Sequence, residues 1–555
     1  MTVPVSQLIV RWLERLGVEC IFGIPGAHIL PVYDALHDST IHSVLAKHEQ
    51  GAAFMAGGYA RAANAIGACI ATAGPGATNL VTGIANAYAD KLPLLVITGE
   101  TSTHIFGRGG LQESNGEGGS IDQVVLFAGI TCYHKLIERT DYLPTVLNQA
   151  TRHLLSATPG PVVLSIPYNV QKEEVDAAIL EQISFTRMSG ECFISEQAIV
   201  QSVALIRAAR RPLIVAGHGC IRAGALEPLR RISERLNIPV TSSLKAKGAL
   251  DERAALSLGS LGVTSGGYAL RYLEQEADLV LVLGAAFNER TSYVWDKHLL
   301  AGKKLIQVDN SAQQLEKVFR ADLAVHGDLD TYLQALEQAL QDQSVPAKEP
   351  VDVAAFIAAT QARLDAANET IFNHQFDQVR AFYGWLERRF PDGLVLFDDN
   401  IVFAQNFYRV SAKDRYYPNS GISSLGHAIP AAIGAGWKTS QPLFAMLGDG
   451  GFHMCAMEIM TAVNYGIPLN VVLFNNATMG LIRKNQHHLY QDRFIDCDFT
   501  NPDYALLAQS FGIAHCRVES ERDLAKLEAV DFTRGINLIE ILLDRDAYPN
   551  YSSRR

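Results

Sequence analysis

Short apolar runs that end on glycine, proline or a small polar residue recur along this chain of 555 residues. In the first third they read VECIFGIPG, ACIATAGPGATN, PLLVITGE and PVVLSIPYN, separated by stretches with helix-like spacing. Runs this short, apolar throughout and bounded by turn residues, predict strands buried in parallel sheets. Helices between them make βαβ crossovers, and the strand ends then line a ligand crevice. The opening segment MTVPVSQLIVRWLERLG is amphipathic and predicts a helix. A polar stretch near Gln171–Gly190 reads as a linker. RPLIVAGHG, NIPVTSSL, ADLVLVLGAAF and KKLIQVDN then predict a second set of strands. A charged, proline-containing segment, Asp342–Val353, marks another boundary. The pattern predicts an α/β protein of three doubly wound parallel-sheet domains, at residues 1–172, 190–341 and 354–555. The first and third blocks are candidates for distant copies of one fold.

The third block carries the sharpest chemical signal. In PLFAMLGDGGFHMCAMEIMTAVNYGIPLNVVLFNNATMG an apolar run (Leu443–Leu447) stops at Gly448-Asp449-Gly450. A helix-like stretch follows, then a second apolar run (Leu469–Phe474) that ends on Asn475-Asn476. A strand–turn–helix–strand unit delivers both strand ends to one sheet edge. The carboxylate of Asp449 and the amide oxygen of Asn476 are hard oxygen ligands that suit Mg²⁺ with phosphate oxygens. Glycines 448, 450 and 451 let the backbone approach a phosphate at a helix N-terminus. The unit predicts a metal-bridged diphosphate, whereas a lone Gly-Asp-Gly would be an ordinary turn.

Composition narrows the class. The chain is 48% hydrophobic and 19% charged, ample for large cores. A net charge of −11 argues against nucleic acid and anionic membranes as partners. No apolar stretch of about 20 residues predicts a membrane span, and the N-terminus does not read as a signal peptide. The eight cysteines are scattered without a CxxC pair, which predicts a reducing cytoplasm and no zinc site. The sixteen histidines lack ligand spacing, and His487-His488, as helix neighbours, are expected to point apart.

Taken with HEQGAAFMAGGYARA, FGIPGAHILPVYDAL, TAGPGATNLVTGIANAYADKLPLLVITGE and SGISSLGHAIPAAIGAG, the GDG…NN unit gives the chain a family resemblance. It resembles the acetohydroxyacid (acetolactate) synthase group of thiamine diphosphate enzymes, with benzaldehyde lyase and carboxyethylarginine synthase as further members. The resemblance covers the whole chain. It implies pyrimidine-binding, central and diphosphate-binding domains in that order. It makes Glu49 the carboxylate that meets the cofactor pyrimidine, and Asn79 a second pyrimidine contact. Leu425 then stands under the folded cofactor, and Pro25, Ser424, Gly448, Asp449, Gly450, Gly451, Asn476, Met479 and Gly480 complete its surroundings. Asp449, Asn476 and the backbone oxygen of Thr478 are the implied Mg²⁺ ligands. His28 and Gln112 join Glu49 as implied catalytic residues. Leu111, Gln112, Leu481, Ile482 and Asn485 are the implied substrate pocket.

The departures from the synthase pattern lie at substrate-facing positions. Leu111 stands for the usual Phe, Tyr168 for Lys, Ala286 for Arg, Asn485 for Trp, and Val402-Phe403-Ala404 for a Gln-His-Gln run. Losing Arg at 286 removes a bidentate carboxylate anchor. It also weighs against FAD, for which glycines 217, 219 and 224 give only a weak signal. Gly26-Ala27-His28 and Ser120–Thr131 read like the lyase, where the histidine handles protons. GDGGFHM and NNATMGLI read like carboxyethylarginine synthase.

The resemblance implies decarboxylation of a small 2-keto acid such as pyruvate, through a carbanion and enamine at the cofactor C2, followed by carboligation. Lyase cleavage of a 2-hydroxyketone runs the same sequence backwards and stays open. So do aldehyde acceptors. A catalytically decayed paralogue is the non-enzyme alternative, against which the retention of Glu49, Asp449 and Asn476 stands. Because Glu49 must meet a cofactor anchored by Asp449, the resemblance also implies a homodimer or dimer of dimers (a homotetramer) with the site at the subunit interface.

Overall fold

Three six-stranded sheets organise the chain, each all-parallel and flanked by helices. The computed structural model describes residues 1–186 and 194–551. The end of the linker at Gly190, where the second predicted domain begins, and the last four residues of the third lie outside the described residues.

The first sheet runs His42–Leu45, Cys20–Gly23, Gly67–Ala71, Leu94–Glu100, Val162–Pro167, Tyr133–Leu136. Numbered by position in the sequence, this is the order 2-1-3-4-6-5. The third sheet runs Arg415–Pro418, Val395–Asp398, Leu443–Gly448, Leu469–Asn475, Ile536–Leu542, Ala514–Val518, and has the same order. That shared order supports the idea of two distant copies. The middle sheet runs Ser257–Ser260, Val240–Ser242, Pro212–Ala216, Leu279–Leu283, Lys304–Asp309, Leu323–His326, the 3-2-1-4-5-6 order of dinucleotide-binding folds.

Most interior strands are ones the apolar runs predict, because both of their faces are covered. Most strands the runs do not predict lie at sheet edges: His42–Leu45, Tyr133–Leu136, Arg415–Pro418 and Ala514–Val518 are only partly buried. Val395–Asp398 and Ile536–Leu542 are interior and carry the same apolar signal. The N-terminal helix forms over Val5–Arg15 and buries Leu8, Ile9, Trp12 and Leu13. The stretch from Gln171 is not all linker. Glu174–Asp176 pairs antiparallel with Thr2–Pro4, and Val175 is buried there. Helix Val353–Ala366, which opens the predicted third domain, packs instead against the middle one, with Phe356 edge-on to Tyr272 at 5.4 Å.

The first and third layers meet through helices Glu49–Ala63 and Ala428–Ala435. A Cβ on Gly58 would overlap the Ala431 carbonyl, and one on Gly434 would overlap the Met55 carbonyl. Two glycines placed reciprocally let the backbones touch, and alanines fill the remaining gap. The first and middle domains are also tied by buried charge. Asp90 binds Arg61 from its own domain and Lys245 of the middle domain, the latter at 2.5 Å. Both cations hold the Asp90 carboxyl at about 2 in spite of burial.

Candidate functional site

At the switch point of the first sheet, the turns after Cys20–Gly23 and Gly67–Ala71 face each other. Gly26 lies so close to Thr72 that a Cβ would sit 2.6 Å from the threonine Cβ. The Thr72 hydroxyl donates to Gln112 Oε1 at 3.1 Å, and His28 Nδ1 lies 3.2 Å from the same oxygen. Since that oxygen only accepts, His28 carries its proton on Nδ1 and leaves Nε2 open. Gln112 has φ of +55°, a left-handed conformation that a side chain disfavours. It is held there from both flanks. Glu113 accepts the N–H of Gly109 and Gly110 at 2.9 and 2.8 Å. Ser114 is bound to buried Glu100 through N–H and Oγ.

Glu49 begins helix Glu49–Ala63, whose cap is the His48 side chain accepting from Gln50 N–H. Glu49 is 9% exposed and accepts from the Asn79 amide at 2.9 Å. Gly76 leaves the room this needs, for a Cβ there would sit 2.9 Å from Thr72 Cγ2 and 3.5 Å from Glu49 Oε1. His28, Gln112, Thr72, Gly76, Glu49 and Asn79 therefore form one contiguous cluster, with Pro25 and Leu111 exposed beside it. Thr72 was not anticipated from the sequence, where it is one more small residue ahead of Gly74-Pro75-Gly76.

The second cluster sits at the equivalent switch point of the third sheet. Asp449 starts helix Asp449–Cys455 and is 1% exposed. Its Oδ1 accepts from Gly450 N–H at 3.0 Å. Its Oδ2 accepts from the N–H of Asn476 (3.1 Å) and Ala477 (2.6 Å) and from the Asn501 amide (3.0 Å). Burial pushes its carboxyl up against these hydrogen bonds. Among the described residues no Lys, Arg or His forms an ion pair with it. A buried carboxylate held only by neutral donors suits a bound cation. Asn476 follows on the adjacent strand end, and Thr478 is fixed by its hydroxyl donating to Cys497 O at 2.8 Å. Met479 lies over Gly450, and Gly480 beside the Asn476 amide. Among the described residues no group of three His, Cys, Asp or Glu could hold a metal. The expected set of one carboxylate, one amide and one backbone oxygen differs from such a group.

Asp398 and Asp399 end the neighbouring strand and are buried. Asp399 accepts from Gly426, His427 and Ala428 N–H, at 2.6, 3.0 and 3.3 Å, and so holds the loop that carries Ser424 and Leu425. Gly451 is required beside it, since a Cβ would lie 2.7 Å from Asp399 Oδ2. Burial raises Asp398 to about 7 and Asp399 to about 6. Phe403, of the run that replaces Gln-His-Gln, packs on Phe474 at 5.0 Å just before Asn475. Leu481, Ile482 and Asn485 lie on helix Gly480–Tyr490, with Ile482 exposed. On the same helix His487 and His488 do not point apart. Their rings lie 4.8 Å apart because both turn toward Tyr548.

The structure thus gathers the expected residues into two clusters, one around Glu49 and one around Asp449. Among the described residues no hydrogen bond or ion pair joins the Glu49 cluster to the Asp449 cluster. Two surface hollows, one lined by Arg15 and Glu181, the other by Arg388 and Glu528, contain none of these residues.

In the middle sheet the switch point is closed. Gly217 and Gly219 N–H donate to the carbonyls of Leu283 (2.7 Å) and Gly284 (3.1 Å), and a Cβ on Gly217 would overlap Gly284 O. The backbone donors a dinucleotide pyrophosphate would need are engaged, and helix His218–Arg222 behind them is a single turn and a half.

Two parallel-sheet layers of one topology each present a buried carboxylate at the switch point, Glu49 in one and Asp449 in the other. Comparison with known families gives the chain its class. Residues 3–118, 199–336 and 399–541 match the N-terminal TPP binding domain, the central domain and the C-terminal TPP binding domain of the thiamine pyrophosphate enzymes. The chain belongs to that family.

Among individual relatives, it is 31% identical to a probable acetolactate synthase large subunit of Methanocaldococcus jannaschii, over 97% of this chain and 92% of the relative. It is 31% identical to the acetolactate synthase large subunit of Lactococcus lactis, over 98% and 93%. It is also 31% identical to the isozyme 2 large subunit of Escherichia coli, over 97% and 95%. The chain is therefore a thiamine diphosphate-dependent enzyme of carbon–carbon bonds, a carboligase of the acetolactate synthase type. Among the described residues no helix is long and apolar enough to cross a membrane.

Proposed function

We propose that this enzyme decarboxylates a small 2-keto acid, pyruvate in the first instance, and joins the remaining fragment to an acceptor carbonyl, with Mg²⁺ holding the cofactor. The observation that carries the reading is the Glu49–Asn79 pair. A buried carboxylate with a neutral amide partner and no cation is suited to hydrogen-bond a heterocyclic nitrogen. When bound, thiamine diphosphate supplies the electron sink for loss of CO₂. Asp449, Asn476 and the Thr478 carbonyl would hold the cation, with open space at Gly448 for the diphosphate, while Gly450 and Gly451 make room for Met479 and Asp399. Leu425, steadied through Asp399, would support the cofactor from below. His28 Nε2 is free to take or give a proton at a substrate oxygen, and Gln112 fixes its tautomer. That His28–Gln112 pair also favours the second reading, cleavage of a 2-hydroxyketone, because cleavage starts by removing a hydroxyl proton.

The two half-sites support a homodimer or dimer of dimers in which Glu49 of one copy meets Asp449 of the other. Leu111 (73% exposed), Met454 (55%) and Met457 (59%) are apolar side chains that a second copy would cover. The closed turn at Gly217–Gly219 speaks against a flavin there. The described cysteines are all unpaired, in keeping with a reducing cytoplasm.

The test is turnover of pyruvate, alone and with aldehydes, at saturating thiamine diphosphate and Mg²⁺, with products identified by mass. Glu49→Gln is expected to lower turnover on the order of 10²–10⁴-fold. Unchanged turnover on every accepted substrate would sink the proposal.

A further inference from the structure

Asn501 is absent from the residues that the motif spacing points to, yet it touches Asp449 directly. Its amide nitrogen donates to Asp449 Oδ2 at 3.0 Å and to Asn475 Oδ1 at 2.7 Å. Asn475 in turn donates to Glu540 Oε1 at 2.6 Å, and Glu540 Oε2 lies 3.0 Å from His515 Nε2. This is a continuous chain, Glu540–Asn475–Asn501–Asp449, across the end of the third sheet.

Its direction is forced. Carboxylates at both ends accept. Glu540 therefore draws the nitrogen of Asn475 toward itself and turns the Asn475 oxygen to Asn501. Asn501 must then use both amide hydrogens, one on each neighbour. Its Oδ1 faces the other way, and that oxygen is buried without a partner. A buried acceptor with no donor is costly, by about 1–3 kcal/mol, unless something absent from the protein supplies a hydrogen. A water on a cation, which only donates, has the complementary chemistry. The backbone fixes Asn501 from its other side too. Pro502 restricts the residue before it to extended conformations, and Asp503 caps helix Tyr504–Phe511 by accepting from Ala505 and Leu506 N–H.

We infer that Asn501 is a positioning residue of the metal site. It orients the Asp449 carboxylate and offers Oδ1 to a cation-bound water, with Glu540 fixing its amide through Asn475. The inference rests on the proposal that Asp449 binds Mg²⁺, so the experiment separates the two. Binding of thiamine diphosphate to the purified full-length protein is followed by tryptophan fluorescence or calorimetry as Mg²⁺ is varied. Wild type, Asp449→Ala, Asn501→Ala, Asn501→Asp and Glu540→Gln are compared, with folding checked by thermal melting.

Asn501→Ala is expected to raise the Mg²⁺ half-saturation about 10–100-fold while binding at saturating Mg²⁺ is retained. Asn501→Asp, which loses both donors and adds a like charge, should be at least as severe. Glu540→Gln keeps an acceptor for Asn475 and is expected to stay close to wild type. A purely structural role would lower the melting temperature and leave the Mg²⁺ half-saturation alone. A folded Asn501→Ala or Asn501→Asp protein with the wild-type half-saturation overturns the inference. If instead wild type and Asp449→Ala bind the cofactor equally with and without Mg²⁺, the metal reading itself fails, and the inference with it.

Discussion

Glu458 accepts the backbone N–H of His48 at 2.9 Å, one residue before Glu49. The bond crosses from the third sheet's layer to the first. The same carboxylate takes Lys47 N–H at 3.1 Å and the Thr461 hydroxyl at 3.0 Å. Burial raises its carboxyl above the usual range against these donors. The chain entering the Glu49 helix is thus held by the domain it packs on as well as by its own His48 cap.

Glu458→Ala is expected to leave two half-buried N–H groups unpaired, at a cost of about 1 kcal/mol each. Turnover should fall with it, because Glu49 loses its fixed start. Glu458→Gln keeps an acceptor and should recover most of the stability. Urea unfolding and steady-state rates on both variants check this; a Glu458→Ala protein as stable and active as wild type contradicts it.

Gly57 and Gly58 are neighbours on one helix with opposite surroundings. A Cβ on Gly57 would make ordinary contact with Leu92 Cδ1 at 3.6 Å, whereas one on Gly58 meets the Ala431 carbonyl head-on. Gly57→Ala should be neutral or stabilising by up to about 1 kcal/mol, as in any helix interior. Gly58→Ala should destabilise by about 3 kcal/mol or more, beyond ordinary overpacking. Equal unfolding midpoints for the two variants would contradict the helix contact.

Asp398 gives stability a defined pH dependence. Its carboxyl is raised by burial to about 7, above the ordinary value, so the folded state favours its protonated form. The contribution is complete below the ordinary carboxylate range and is lost as pH rises through about 7. Asp398→Asn mimics the protonated group and can still pair with Tyr416, which now lies 2.6 Å from Oδ2. It should match wild type near pH 4 and be the more stable protein at pH 8. Melting curves across that range decide it, and parallel wild-type and variant profiles would refute the assignment.

Asp90 behaves in the opposite sense. Held at about 2 by Arg61 and Lys245, it contributes stability above the ordinary carboxylate range, and that stability is lost as pH falls through about 2. Asp90→Ala leaves two cations facing each other at the junction of the domains and should cost about 3–5 kcal/mol. Denaturant unfolding at neutral pH measures it; a loss below about 1 kcal/mol would show the triad to be marginal.

The sequence by itself determined most interior strands, the three-sheet plan and the family. It could do so because those features are local. A strand covered on both faces is continuously apolar, and Gly448-Asp449-Gly450 or Gly74-Pro75-Gly76 shows its backbone role in adjacent residues. Edge strands such as Tyr133–Leu136 were not legible, since half-exposed residues leave no unbroken apolar run. Only the tertiary structure decided which of Gly57 and Gly58 meets a backbone. It alone paired Thr72 with Gln112, bound the chain ahead of the Glu49 helix to Glu458 and brought Asn501 to Asp449. Each of those contacts joins residues far apart in the chain, and its geometry is set by how the sheets and helices pack.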